Sequence, residues 1–397
     1  MPVGIFTRWS ILLFAAVLFS TAAPVVVRAD EIKVGLIAPF SGAYSEHGRR
    51  FKEAVETYLA VNGATFGGHT VTMIYRDTGA VPQRAHQLAQ ELVTRDEVQY
   101  ITGIAMTPEA MSVIDVANEA KVPVIVFNTG TSALLRKSPY MVRVGYTLWS
   151  VAIPMTKWAL KQGKKNAAIV VADFAPGEDG IAAFTHGFTT GGGKIAGVIK
   201  VPLGTADFSS YLQRVKDLAP DCMFVFMPKG PMSIAMAKGF AERGLKSAGI
   251  DWYGTGEMEE DDLPAIGESA LGTESAFIYG PDLDTPLNRS FVTELTKRYG
   301  PAGLPQMGTI EAYDGMRVLA QMIKATNGKR DAAKAMESVR GFAWESPRGP
   351  VSIDPKTRDF VQNIYIRKIV KSGDGMVARA IFTYPDVKEP WLELNPE

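Results

Sequence analysis

Short apolar runs rich in β-branched residues recur at intervals of about 25 to 35 residues along most of this chain, each followed by an amphipathic stretch. That alternation constrains the fold more than any other feature. Strands joined through helices at this spacing belong to parallel sheets, and runs that are apolar throughout mean that helices cover both faces. The runs fall into two series. The first covers 32–40, 71–75, 100–104, 122–127 and 141–144; the second covers 167–172, 195–201, 222–227 and 250–253. Amphipathic stretches at 49–61, 82–94, 108–120 and 151–160 supply covering helices. Two series predict two doubly wound α/β units. Further on, the pattern predicts a strand at 275–279, helices at 287–298, 306–326 and 331–339, and a β-rich tail at 349–353, 363–370 and 377–383. Periodicity leaves open which unit each later segment joins.

The N-terminus reads as an export signal. A lone basic Arg8 precedes an apolar stretch over 9–19, and small residues lead to Val27-Arg28-Ala29 before Asp30. A signal peptide over 1–29, cut near Ala29 or alternatively after Ala23, is expected, and with it a periplasmic location. The apolar part is shorter than the ~20 residues of a membrane span; residues 24–27 extend it, which keeps an uncleaved anchor as the alternative. The precursor carries 42 basic and 42 acidic residues, and loss of Arg8 and Arg28 would leave 40 against 42. A chain so balanced is not built to neutralise phosphates, so no nucleic-acid partner is expected. Cys222 is the single cysteine. It rules out an internal disulfide and a multi-cysteine metal site, and its place in an apolar run reads as an inert core thiol.

In open parallel sheets, ligands bind beyond the carboxyl ends of the strands. Those segments here are Ser41-Gly42-Ala43-Tyr44-Ser45, Asp77-Thr78-Gly79, Met106-Thr107-Pro108 and Asn128-Thr129-Gly130-Thr131-Ser132 in the first series. In the second they are Asp173-Phe174-Ala175-Pro176-Gly177-Glu178, Pro228-Lys229-Gly230 and Gly254-Thr255-Gly256-Glu257. Hydroxyls beside helix starts line one side; acids and an aromatic line the other. Thr107-Pro108 reads as a helix N-cap followed by proline, and amides with a hydroxyl at such a terminus can seat a carboxylate. Catalytic patterns are missing. His47, His69, His86 and His186 have no metal-ligand spacing and read as surface or loop residues. Gly191-Gly192-Gly193-Lys194-Ile195-Ala196 lies after a helix and before a strand, the reverse of a dinucleotide-binding order. No cofactor or metal is expected, and an enzyme is disfavoured.

Several stretches, in order, resemble the leucine/isoleucine/valine-binding family of type I periplasmic solute-binding proteins of ABC importers. They are Ile32-Lys33-Val34-Gly35-Leu36-Ile37-Ala38-Pro39-Phe40-Ser41-Gly42, Val122-Pro123-Val124-Ile125 before Thr129-Gly130-Thr131, Asp207-Phe208-Ser209, and Gly349-Pro350-Val351-Ser352-Ile353-Asp354. The resemblance implies two lobes joined by three hinge crossings, one of 30–146 plus 278–346 and the other of 147–277 plus 347–397. It implies a monomer that closes on a small carboxylated solute and delivers it to a permease and ATPase on other chains.

By similarity, the carboxylate-binding positions fall on Thr107, Thr129 and Thr131. Tyr44 or His47 lines the cleft near the first loop, Phe174 supplies the second lobe's aromatic, and Glu257 is placed to receive an ammonium. Lys229-Gly230 stands where leucine-binding members carry an aromatic-bearing loop, and Met106 stands where they have cysteine. Lys229 could pair with an acidic ligand or simply be solvated. Glu257 favours an amino acid, which leads; the loss of polar aromatics in the second lobe favours an aromatic acid, and amides are a third option. A ligand-sensing receptor ectodomain would share the fold without the import role.

Overall fold

The computed structural model describes residues 31–395, with Met1 and Gly4 before them. The expected cleavage site near Ala29 and the apolar stretch before it lie outside the described residues. A six-stranded sheet is built from β1 (Glu31–Ala38), β2 (Thr65–Phe66), β3 (His69–Asp77), β4 (Tyr100–Gly103), β5 (Val124–Val126) and β6 (Met141–Arg143), in the order β2-β3-β1-β4-β5-β6. All neighbours are parallel except β2, which turns back on β3. Helices α1 (Ser45–Asn62), α2 (Pro82–Thr94) and α3 (Thr107–Ala120) form the crossovers. In α2, Pro82 starts the helix and Ala85, Ala89 and Leu92 repeat at helical spacing on the one face that is buried. Val34 and Leu36 face one core while Ile37 faces the other, which is why these strands read as unbroken apolar runs.

The second sheet has nine strands. Its parallel part is β7 (Asn166–Ala172), β8 (Lys194–Val201), β9 (Cys222–Phe226), β10 (Asp251–Gly254) and β11 (Glu274–Phe277), crossed over by α4 (Leu148–Lys161), α5 (Ala175–Thr190), α6 (Ser209–Asp217), α7 (Pro231–Glu242) and the short α8 (Leu263–Ile266). The chain then forms α9 (Pro286–Tyr299), α10 (Met307–Thr326) and α11 (Ala332–Glu337). It returns through β12 (Ala343–Ser346), β13 (Gly349–Ile353), β14 (Phe360–Ser372) and β15 (Gly375–Val387), ending in α12 (Trp391–Leu394). These last four strands are antiparallel to their neighbours and extend the second sheet from β11. A β-rich tail was legible in the pattern, but not this direction.

The lobes share material where the chain passes between them. Met307 and Ile310 at the start of α10 pack in the second core, whereas Met316, Leu319 and Ile323 of the same helix pack in the first. Val351, Ile353 and Phe360 also enter the first core while β13 and β14 pair into the second sheet. Arg348, fully buried, ties these passages together. Its Nε donates to Asp314 Oδ2 at 2.7 Å, its Nη1 to Gln362 Oε1 at 2.8 Å and its Nη2 to the Val144 carbonyl at 3.0 Å. A buried cation so fully paired fixes geometry.

Candidate functional site

The carboxyl ends of both sheets face each other across a cleft. Gly103 ends β4 with φ of +101°, and a Cβ there would meet the Ile37 carbonyl oxygen at 2.4 Å, so only glycine turns the chain tightly enough to bring 105–107 to the cleft. Gly256, with φ of +85°, packs against the Phe277 ring, where a Cβ would come within 2.2 Å. These turns and the loops after β5, β7 and β9 enclose a cavity of about 50 Å³.

Six of the eight residues singled out from the sequence border that cavity: His47, Thr107, Thr129, Phe174, Lys229 and Glu257. Thr107 differs in local role from the expected N-cap. Met106 is the residue flanking the helix, α3 starts at Thr107, and the buried Thr107 hydroxyl has no hydrogen-bond partner in its own helix or elsewhere. Thr129 Oγ1 accepts from Arg143 Nη1 at 3.2 Å. Thr131 does not border the cavity. Its hydroxyl is buried without a partner, and its carbonyl accepts from Arg143 Nη1 at 2.7 Å. Tyr44, half-buried before α1, borders an adjoining compartment instead.

His47 is not a surface or loop residue: it lies in α1, 8% exposed, with no hydrogen bond to its ring among the described residues. Burial, helped by the Lys229 ammonium, lowers its pKa to about 4, so the imidazole is neutral at ordinary pH. Nor is Lys229 solvated. Its ammonium sits 2.8 Å from Glu259 Oε2, 2.8 Å from Asp261 Oδ1 and 3.8 Å from Asp262 Oδ2. Burial opposes its charge, but these carboxylates raise its pKa above the usual lysine range. With that much negative charge against it, the Lys229 ammonium already has its counterions.

Glu257 turns its carboxyl back into its own loop. Its Oε2 accepts from the Thr255 N–H at 2.6 Å and from Thr255 Oγ1 at 3.2 Å, and its Oε1 from Trp252 Nε1 at 3.2 Å. Burial raises its pKa to about 7 in spite of these donors. The group is therefore harder to ionise than an ordinary carboxyl, and with both oxygens already accepting it is a poor partner for a ligand ammonium.

Sequence reasoning missed four contributors. Phe226 ends β9 and stacks on Phe174, centroids 5.8 Å apart with 16° between planes; it stood in an expected strand and was not carried forward to the site. Tyr146 follows β6 at a strand end and borders the cavity beside Phe277, which it meets edge-on at 5.2 Å. Met307, at the start of α10, borders the cavity too, but no strand end points to it. Arg143, buried, braces the 129–131 loop through both carbonyls and pairs with Asp359 at 2.7 Å. Its signal was visible as a charge inside an apolar strand, which must find partners. Cys222 is buried in the second core with its thiol pushed up to about 12, as an inert thiol requires. Among the described residues no group of His, Cys, Asp and Glu is arranged to hold a metal ion, and no helix is long and apolar enough to cross a membrane.

A protein-family model described as periplasmic binding protein matches residues 31–374. The chain is 44% identical over 386 residues, 96% of its own length and 99% of the relative's, to the Leu/Ile/Val-binding protein homolog 6 of Brucella melitensis. It is similar, with a TM-score of 0.90 and 40% identity over 92% of this chain and 100% of the other, to a solute-binding protein of an ABC transporter from R. palustris in complex with 4-hydroxybenzoate. A solute-binding protein from Rhodopseudomonas palustris strain BisB5 in complex with 3,4-dihydroxybenzoic acid aligns with a TM-score of 0.87 and 41% identity, over 91% of this chain and 99% of that one.

Proposed function

The chain belongs to the periplasmic binding protein family, the leucine/isoleucine/valine-binding type, and from that premise we propose that it captures a hydroxylated aromatic carboxylate for an ABC importer. The observation that carries this reading is the state of Glu257. An amino-acid ligand needs a free carboxylate for its ammonium, and the Glu257 carboxyl is engaged by Thr255 and Trp252 with its pKa raised by burial to about 7. This reverses the order of preference read from the sequence, where Glu257 favoured an amino acid.

The remaining wall suits a ring. Phe174, Phe226 and Tyr146 present aromatic surface, while the unpartnered Thr107 hydroxyl at the start of α3 offers a charge-assisted hydrogen bond to a carboxylate at a helix N-terminus. The solved relatives at 40% and 41% identity hold 4-hydroxybenzoate and 3,4-dihydroxybenzoate. The amino-acid alternative rests on the name of the 44% identical relative.

The carboxylate docks on the Thr107 side, with Thr129 and its loop beside it, and the second lobe closes over the ring. Since neither lobe alone satisfies the whole ligand, its higher affinity for the closed form drives the hinge. The closed monomer then offers surfaces of both lobes to a permease, served by an ATPase, in the periplasm. Thermal-shift measurement with 4-hydroxybenzoate, leucine and valine tests the reading, because a ligand at 100 times its dissociation constant adds about 2.7 kcal/mol. Stabilisation by 4-hydroxybenzoate is expected; stabilisation by leucine or valine without any from the aromatic acid would overturn it.

A further inference from the structure

Beside the aromatic-walled cavity lies a second compartment of about 80 Å³, which shares His47, Lys229 and Met307 with the first and is closed by Tyr44, Arg50 and Gln306. Its cations are already engaged. Arg50 donates to the Ala302 and Leu304 carbonyls at 2.8 and 2.9 Å and to Asp261, and Lys229 is held by Glu259 and Asp261. The compartment therefore does not call for another anion.

What remains unsatisfied is neutral. Gln306 is 1% exposed, and its backbone N–H donates to Thr309 Oγ1 at 3.2 Å while its carbonyl accepts from the Thr309 and Ile310 N–H groups. Neither the nitrogen nor the oxygen of its side-chain amide has a partner. A buried amide with both ends orphaned is unusual in a folded protein and marks a place where a ligand or water completes the pairing. The neutral His47 ring, also without a hydrogen bond among the described residues, borders the same space. A hydroxyl both donates and accepts, as the amide and the imidazole each require of a partner.

We propose that this compartment is a subsite for a second ring hydroxyl, read by Gln306, so that the site is built for dihydroxylated aromatic carboxylates rather than for monohydroxylated ones. The proposal rests on the aromatic-carboxylate reading above. The volume exceeds what one hydroxyl fills, and the remainder has room for water, which needs only ~10–15 Å³ per molecule by this measure.

Calorimetric titration of the full mature chain with 3,4-dihydroxybenzoate and with 4-hydroxybenzoate tests it. The expected result is about three- to tenfold tighter binding of the dihydroxy acid, the range of one added neutral hydrogen bond. In Gln306→Leu the ratio of the two dissociation constants should collapse to about one. The melting temperature of each ligand-free variant confirms folding, and Gln306→Met serves in its place if the leucine variant does not fold. Equal affinities in the wild type, or a preference that survives loss of the amide, would overturn the subsite while leaving the aromatic reading standing. Failure of both acids to bind would overturn the two together.

Discussion

Arg50 and Asp261 join across the cleft: Arg50 Nη2, on α1 of the first lobe, donates to Asp261 Oδ2, after β10 of the second, at 3.2 Å. The same carboxylate accepts from Lys229 of its own lobe at 2.8 Å. Arg50 is anchored by the Ala302 and Leu304 carbonyls and by Glu46, so it keeps its place if the lobes part. On the proposed hinge motion this pair would break as the lobes part, so it should favour closure.

Replacing Asp261 by asparagine should shift the population toward the open form. Since the carboxylate is partly exposed, its contribution is about 1 kcal/mol, or roughly a fivefold loss of affinity. The loss should shrink in high salt, because a partly exposed pair is screened. Solution scattering of the ligand-free protein should show a larger radius of gyration for the variant. An unchanged radius and unchanged affinity would mean that the bridge forms without influencing closure.

Thr107 carries a sharper expectation. Its hydroxyl is buried and unpartnered, so removing it breaks no hydrogen bond of the ligand-free fold but removes a donor to the ligand carboxylate. Thr107→Ala should weaken binding by about 1.5–3 kcal/mol, the range for a hydrogen bond to a charged group. The melting temperature without ligand should stay within a few degrees, and Thr107→Ser should recover most of the affinity. Calorimetry and thermal denaturation of the two variants check both statements.

Arg143 should behave in the opposite way, through the fold first. Its Nη1 holds the Thr129 and Thr131 carbonyls and its Nε pairs with Asp359, all out of solvent. Truncation to alanine leaves Asp359 as an uncompensated buried charge, at about 3–5 kcal/mol. Arg143→Lys keeps the charge but not the planar fork that reaches two carbonyls and a carboxylate at once, so the 129–131 loop should loosen. A fall in melting temperature for both, with weaker ligand binding in Arg143→Lys, is the expected pair of readings.

The strands and helices were legible because each has a period. The apolar runs at 32–40 and 222–227 became β1 and β9, and the long stretch at 306–326 became α10. Strand ends then located Thr107, Thr129, Phe174 and Glu257 beside one cavity. What stayed hidden depends on contacts between distant segments. Gln306 and Met307 reach the cleft from a helix start that no strand precedes, and Lys229 finds its counterions in the distant segment 259–262. The direction in which the Glu257 carboxyl turns follows from Trp252 and the loop at 254–256, and no residue spacing encodes it.

That direction gives binding a pH dependence with a definite sign. Burial raises the Glu257 pKa to about 7, above its unfolded value, so its contribution to stability is fully present below the ordinary carboxylate range and is lost as pH rises toward 7. Among the other titratable groups bordering the cavity, His47 is lowered to about 4 and stays neutral from pH 6 to 8.5, while Lys229 is raised and stays charged. Asp262, in the adjoining compartment and raised to about 7 by burial, titrates in the same window. An anionic aromatic acid should bind best while Glu257 is protonated and lose about tenfold as pH rises from 6 to 8.5, since like charges in an enclosed site repel. An amino acid would show the reverse, because ionised Glu257 attracts its ammonium. Glu257→Gln should flatten the profile, and whatever slope persists comes from the other buried carboxyls raised into this range, Asp262 and Glu389 to about 7 and Asp179 to about 6. Titration calorimetry across that range, with 4-hydroxybenzoate and with leucine, measures both signs; affinity for the aromatic acid that rises with pH would contradict the placement of Glu257 as a protonated wall of its site.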